Sequence, residues 1–480
     1  MKTPVALGAN IFAGGFSLGV SKHFRLLGHL EHADGYGAET AHRNLGVPVY
    51  VGLDQWPDKL PVKLDWLYAN PPCAIWSLAA ARKVGSGYTW RNDPRLQRIR
   101  DIFTLVDRYK PSVWTWESVC QAFQKGREFV EEIADEAEKR GYSTSYVLID
   151  AMYLNTPQTR KRFFLVLHKI EIDWKKATPD YSAPIMTAGQ ALRGVKPDKG
   201  HTTNISNQLE SKIIKHAKPG ETLAKVFDRL HPNPKIGPRG QRLGRPSFLK
   251  RRLHPDRPSG VVIGETLFHP KEHRYLAANE AAALCGFPQS WEWPKADAYN
   301  LMARGVMPPV AEWLARNVAR AVRAGKRVRK PARSLVDFRQ PPGLIQDVSD
   351  LPSGVNLDWK PGQVSTGGRA GRRAARRAVA ASGKSPVHRG SLPLEALAEA
   401  TRKGIPDRKG RELIAQAVKG LGTGRIPATS GLLIRARLVQ GKLADSEIVA
   451  EVLLRFEGRK TTVADVSYHR GKLRRAGMLV

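Results

Sequence analysis

Up to Lys169 the chain alternates short apolar runs with helix-patterned stretches, and this alternation constrains the fold more than any other feature. Runs ending near Phe12, then Phe24 to Leu30, Val49 to Leu53, Leu64 to Tyr68, Ser112 to Trp116 and Tyr146 to Ile149, read as strands. Phe16 to Lys22, Ile99 to Tyr109 and Phe129 to Lys139 carry helical patterns between them. The expectation is an α/β fold with a doubly wound, Rossmann-like sheet. With 480 residues there is room for roughly two to four domains.

In an open sheet of this kind ligands meet the carboxyl ends of the strands, so the residues just past each run are the candidates. Ala13, Gly14 and Gly15 form a glycine-rich turn that lets a ligand approach the backbone, although many such turns bind nothing. Glu31 and Asp54 follow successive strands, where carboxylates hold ribose hydroxyls or simply stay solvated. Asn70, Pro71 and Pro72 stop the fourth run abruptly and leave Cys73 just beyond it. A thiol there is placed for reaction; a lone cysteine is as often a small buried apolar residue. Glu117 follows the fifth run close after the aromatic residues Trp114 and Trp116, whose desolvation would favour the neutral acid needed for proton donation. Backbone amides satisfying that glutamate are the other reading. In TPQTRKRFFLVLHK, Gln158, Arg160 and Arg162 alternate onto one face, suited to a carbonyl or phosphate ligand or to guarding a strand edge.

The formal charge of +34 calls for a polyanionic partner; nucleic acid is the default, with an acidic membrane surface as the competitor, disfavoured because no basic amphipathic helix with a clear apolar face is evident. No apolar run reaches a membrane-spanning length and no leader pattern opens the chain, so no membrane role is expected. The three cysteines, Cys73, Cys120 and Cys285, are far apart, which argues against a disulfide framework or a metal site and suits a reducing cytoplasm.

Taken together, NIFAGGFSLG, Glu31, NPPCAIWS, WESV and TPQTRKR resemble, in order and spacing, the cytosine-C5 DNA methyltransferases of bacteria and phages. HRYLAANEAAALCGFPQSW and GVMPPVAEWLARNVARAV resemble the family's two C-terminal elements. The resemblance implies Cys73 as the nucleophile, Glu117 as the acid, and Arg160 with Arg162 holding the base carbonyl and the nucleophile loop. It implies S-adenosylmethionine as cofactor beside Phe12, Ala13, Gly14, Gly15, Glu31, Asp54 and Pro71. It further implies double-stranded DNA as substrate with a flipped cytosine, no metal, a monomer, and a bacterial cytoplasm, the gene being bacterial or phage-borne. The chain departs from the family in a shortened glycine loop, Ser118, Ala74, and Gly305 where an asparagine is usual. These changes raise the question of the alkyl donor. Asn70, Pro71 and Pro72 also resemble the start of the amino-methyltransferase loop, but its aromatic fourth residue is replaced by Cys73. A DNA-binding paralogue without turnover is the rival from outside enzymology.

The expected organisation is a catalytic domain over 1–169, a target-recognition region over 170–272, returning elements over 273–325, a basic flexible linker over 326–390 and a basic helical module over 391–480. Cations from Lys235 through Arg252 look like phosphate contacts, with Arg239, Arg242, Arg245, Lys250 and Arg251 as candidates alongside Gln158. Near the end, an apolar helical stripe from Ile448 to Phe456 precedes a basic stretch with Arg470 and Arg474. That pattern resembles a helix-turn-helix or winged-helix module, or a basic helical pair packed on the enzyme.

Overall fold

The computed structural model describes residues 3–32, 34–76, 90–198, 203–233 and 243–350. Its strands are β1 (Val5–Ala9), β2 (Arg25–Glu31), β3 (Val49–Val51), β4 (Trp66–Ala69), β5 (Val113–Ser118), β6 (Ser143–Asp150), β7 (Lys161–His168), β8 (Arg251–Arg252), β9 (Leu267–Phe268), β10 (Arg333–Phe338) and β11 (Leu344–Asp347). All but β8 and β9 join one sheet in the order β11-β10-β6-β7-β5-β4-β1-β2-β3. β7 runs antiparallel to both β5 and β6, and β11 antiparallel to β10; the other pairings are parallel.

Because side chains alternate across a strand, each buried strand feeds two cores. Ala6, Trp66, Tyr68, Val147, Phe164 and Val166 face one side, where Val310, Trp313, Leu314 and Val318 of the helix Pro308–Ala324 cover them. Leu7, Leu67, Trp114, Trp116, Phe163 and Leu165 face the other, covered by Ile99, Ile102 and Val106 of the helix Leu96–Tyr109 and by Phe129 and Ile133 of the helix Arg127–Lys139. This is a doubly wound, Rossmann-like sheet, as the alternation predicts. The chain builds outward from β1 to β3 and then returns to place β4 on the other side of β1, so the switch-point crevice opens between the ends of β1 and β4.

Several expected boundaries move, each for a local reason. β1 stops at Ala9, well before Phe12, because Asn10 and Phe12 both adopt left-handed backbone with φ of 53°. Gly14 precedes the helix Gly15–Ser21 at φ 86°, a conformation suited to glycine. A Cβ on Gly15 would lie 2.3 Å from the Val306 carbonyl, and one on Gly19 would lie 2.5 Å from Ala311 Cβ. These glycines serve close packing of the first helix against the segment leading into, and the body of, Pro308–Ala324. The linker expected from residue 326 is also corrected, since β10 and β11 belong to the sheet. β10 pairs with β6, and Arg333 reaches Glu131, Asp135 and Glu138. The basic run before it hides a strand whose Leu335, Val336 and Phe338 are buried.

A smaller apolar cluster of Ile213, Ile214, Leu223, Val226, Phe227, Phe268 and Tyr275 organises the inserted region. The expected C-terminal helical module, with Arg470 and Arg474, lies outside the described residues, as do Arg239 and Arg242. Among the described residues no helix is long and apolar enough to cross a membrane.

Candidate active site

Asn70 extends the β1–β4 ladder by one bond, its amide donating to the Ala9 carbonyl at 3.1 Å, before the two prolines end it. Cys73 then opens a short 3-10 turn, Cys73–Ile75, and lines a cavity of about 320 Å³. The same cavity is lined by Asn10, Phe12, Glu31, Asp34, Tyr36, Pro72, Ala74, Arg95, Arg98 and Arg304.

Glu117, one residue from the end of β5, is 1% exposed. Its carboxylate accepts the Asn70 side-chain amide at 2.5 Å and pairs with Arg162 Nε at 2.8 Å. Burial pushes its pKa above the ordinary carboxylate range, against the pull of Arg162 and then Arg160. The expected desolvation is therefore present, but Trp114 and Trp116 do not provide it. Strand alternation turns both indoles into the opposite core while Glu117 faces the crevice.

Arg160, just before β7, is wholly buried and donates to the carbonyls of Ala303 at 2.6 Å and Gly305 at 2.9 Å. Burial and the neighbouring Arg162 lower its pKa to about 9. Burial and the Glu117 carboxylate push the Cys73 thiol above its usual range, while Arg162 and Arg160 pull it down. Thiol, carboxyl and both guanidiniums thus share one electrostatic neighbourhood at the crevice.

Glu31 ends β2 at 3% exposure, accepts the Ile11 amide at 2.6 Å, and is pushed up to about 8 by burial. Phe12 packs edge-on against Tyr36, ring centroids 6.1 Å apart. The other expected cofactor residues do not line this cavity. Gly14 and Gly15 face Ala41 and Val306, and Ala13 and Asp54 are absent from the cavity lining. Pro71 is buried behind Pro72, which lines the cavity in its place. Sequence reasoning missed Asn10, Asp34, Tyr36, Arg95, Arg98 and Arg304; Arg304 arrives from the far end of the sequence, with no local pattern to mark it.

Two of the expected DNA contacts have partners within the protein. Gln158 is fully buried and donates to the Leu284 carbonyl and the Cys285 Sγ, each at 3.4 Å. Lys250 is engaged by Glu210 at 2.6 Å and by the Tyr275 hydroxyl at 2.9 Å. Arg245 pairs with Asp228 at 2.7 Å on the surface, where such a pair contributes about 0–1 kcal/mol and yields readily to a stronger anion. Arg251 is half-buried in β8. No group of three or more potential metal ligands occurs among the described residues.

The profile of the C-5 cytosine-specific DNA methylases matches residues 13–320. The chain belongs to that family. Similar members include the type II methyltransferase M.AplI of Arthrospira platensis, 27% identical over 64% of this chain and 84% of its own. M1.HphI of Haemophilus parahaemolyticus is 26% identical over 54% of this chain and 68% of its own. Among solved structures, the Dnmt2 methyltransferase of S. pombe covers 66% of this chain and 99% of its own length, at 14% identity and a TM-score of 0.42. For this C-5 cytosine methylase family member, the Rossmann-like methyltransferase fold agrees with the sheet described above, and a methyl donor and a DNA substrate follow from family membership.

Proposed function

We propose that this protein transfers a methyl group from S-adenosylmethionine to carbon 5 of a cytosine rotated out of duplex DNA. The observation that carries the proposal is that Cys73, which lines one cavity with Glu31 and Phe12, lies within the electrostatic reach of the buried Glu117, Arg162 and Arg160.

Carbon 5 of cytosine is a weak nucleophile until a group adds at carbon 6. The Cys73 sulfur forms that bond as a thiolate, favoured by the two guanidiniums. Glu117, whose pKa burial raises, delivers a proton to ring nitrogen 3, so that the ring becomes an enamine. Carbon 5 then takes the methyl group; loss of its proton reopens the C6–S bond and frees Cys73. A base inside a duplex exposes neither ring face, hence the rotation into the cavity. Arg160 fixes the Ala303 and Gly305 carbonyls while its charge favours the thiolate, so one residue couples the far wall to the nucleophile.

The residues present fit the donor. A buried carboxylate at the end of β2 suits ribose hydroxyls, with one oxygen already anchored by Ile11, and Phe12 offers an aromatic edge. When bound, the donor supplies an electrophilic carbon on a sulfonium.

The test is incubation with duplex DNA carrying 5-fluorocytosine, in which the proton to be lost is replaced by fluorine. Wild type with S-adenosylmethionine should give a denaturation-resistant protein–DNA complex, and Cys73→Ala none. An alkylated cytosine formed at wild-type rate by Cys73→Ala would refute the mechanism.

A further inference from the structure

The cavity carries one cation that this chemistry leaves unused. Of its other charged residues, Glu31 accepts the Ile11 amide, Arg98 pairs with Asp34 at 2.8 Å and Arg95 with Asp93 at 2.6 Å. Arg304 has no carboxylate within ion-pairing distance among the described residues. Its guanidinium lies 4.6 Å from the centre of the Tyr36 ring. Asp297 acts on it through space, but that carboxylate is already taken by the Tyr36 hydroxyl at 2.7 Å and the Asn300 amide at 2.5 Å.

Arg304 is nevertheless held in place. It ends the helix Ala298–Arg304, and the carbonyls on either side of it, Ala303 and Gly305, are gripped by Arg160. Tyr36 is in turn braced by Phe12. Arg304 is exposed, and a guanidinium steadied over a ring at the border of the cavity that holds the nucleophile is placed to receive an anion entering from solvent. The donor's sulfonium adds a second positive charge to the same cavity, and a donor carboxylate beside Arg304 reduces the repulsion between the two.

We infer that Arg304 binds a carboxylate of the alkyl donor and selects the donor by it, an inference that rests on the proposed function. The carboxylate comes either from the amino-acid end of S-adenosylmethionine or from the alkyl group itself, as in a carboxymethyl-sulfonium analogue. The transfer balances the same way in both cases. A carbon–carbon bond forms at C5 as the carbon–sulfur bond breaks with its electron pair going to sulfur, and the C5 proton leaves; a carboxymethyl group carries its carboxylate across unchanged.

The experiment is calorimetry of the full chain, wild type, Arg304→Gln and Arg304→Lys, with S-adenosylmethionine, its decarboxylated analogue and its carboxymethyl analogue. Duplex affinity is measured in parallel and product nucleosides by mass spectrometry. Losing one charge-assisted contact should weaken the preferred donor roughly tenfold or more in Arg304→Gln, with partial recovery in Arg304→Lys and DNA affinity held within about twofold. If the amino-acid carboxylate is the partner, the decarboxylated analogue binds wild type weakly and is indifferent to Arg304→Gln. If the alkyl carboxylate is the partner, the carboxymethyl analogue binds wild type more tightly than S-adenosylmethionine, the loss is confined to it, and the product is 5-carboxymethylcytosine. Unchanged donor affinities in Arg304→Gln, or a loss seen only in DNA affinity, overturn the inference. Failure of the proposed function would look different: no alkylated cytosine from any donor, whatever the binding data show.

Discussion

Replacing Glu117 by glutamine separates its roles as acid, counter-ion and neighbour of the thiol. Glutamine keeps the length and an acceptor oxygen for the Asn70 amide, but it has no proton to give and no charge. At the observed 2.8 Å, Coulomb's law with an effective dielectric of about 20 gives roughly 6 kcal/mol of gross attraction to Arg162. Desolvation already offsets much of that, and leaving the buried guanidinium without its partner should cost about 3 kcal/mol of fold stability. Removing a general acid should slow single-turnover transfer about 10²- to 10⁴-fold. The thiol should respond with the opposite sign. The Glu117 carboxylate helps hold Cys73 above its usual range, so Glu117→Gln should shift the pH profile of Cys73 alkylation by iodoacetamide to lower pH. Transfer is measured on duplex DNA at saturating donor, stability by denaturant unfolding. Wild-type transfer, or a thiol profile displaced to higher pH, would refute the reasoning.

Glu31→Gln should flatten the dependence of stability on pH. The folded carboxyl titrates at about 8 against an ordinary 4.5, so its contribution is fully present below pH 4.5 and is lost as pH rises through 8. Above that window the variant should be the more stable by at most about 5 kcal/mol, and a steeper profile in a denaturant series would contradict this. Gly15→Ala would set a methyl 2.3 Å from the Val306 carbonyl and 2.7 Å from the Phe287 ring. Overpacking of this kind should cost about 1–3 kcal/mol and, by displacing the segment that Arg160 grips, weaken donor binding. Unchanged melting and calorimetry would show that the contact can relax.

The sheet was legible because strands buried on both faces leave apolar runs with sharp stops, and NPP after β4 is as sharp a stop as a sequence can carry. Cys73 and Glu117 could be placed at the crevice for that reason. The error over Trp114 and Trp116 came from treating sequence neighbours as spatial ones, where a strand sends them to opposite faces. Gly14 and Gly15 look alike in a sequence whether they receive a ligand or packing, and here Ala41 and Leu45 lie against the first while Phe287 and the segment before Pro308 lie against the second. The internal partners of Lys250 and Gln158, namely Glu210, Tyr275 and Cys285, lie far along the chain and leave no local signal. Arg304 shows the same limit in reverse: only the return of a late helix discloses that it borders the site.

The last two strands bear on how such a protein can be divided. The family match ends at residue 320, at the close of a helix, which looks like a natural place to cut. A chain stopped there would bare the backbone of β6 from Thr144 to Ile149, and would strip Arg333 from the acidic trio of Glu131, Asp135 and Glu138. Fusions, domain swaps and trimmed versions should therefore be joined after Asp347; a boundary drawn from homology alone would turn an interior strand into a sticky edge.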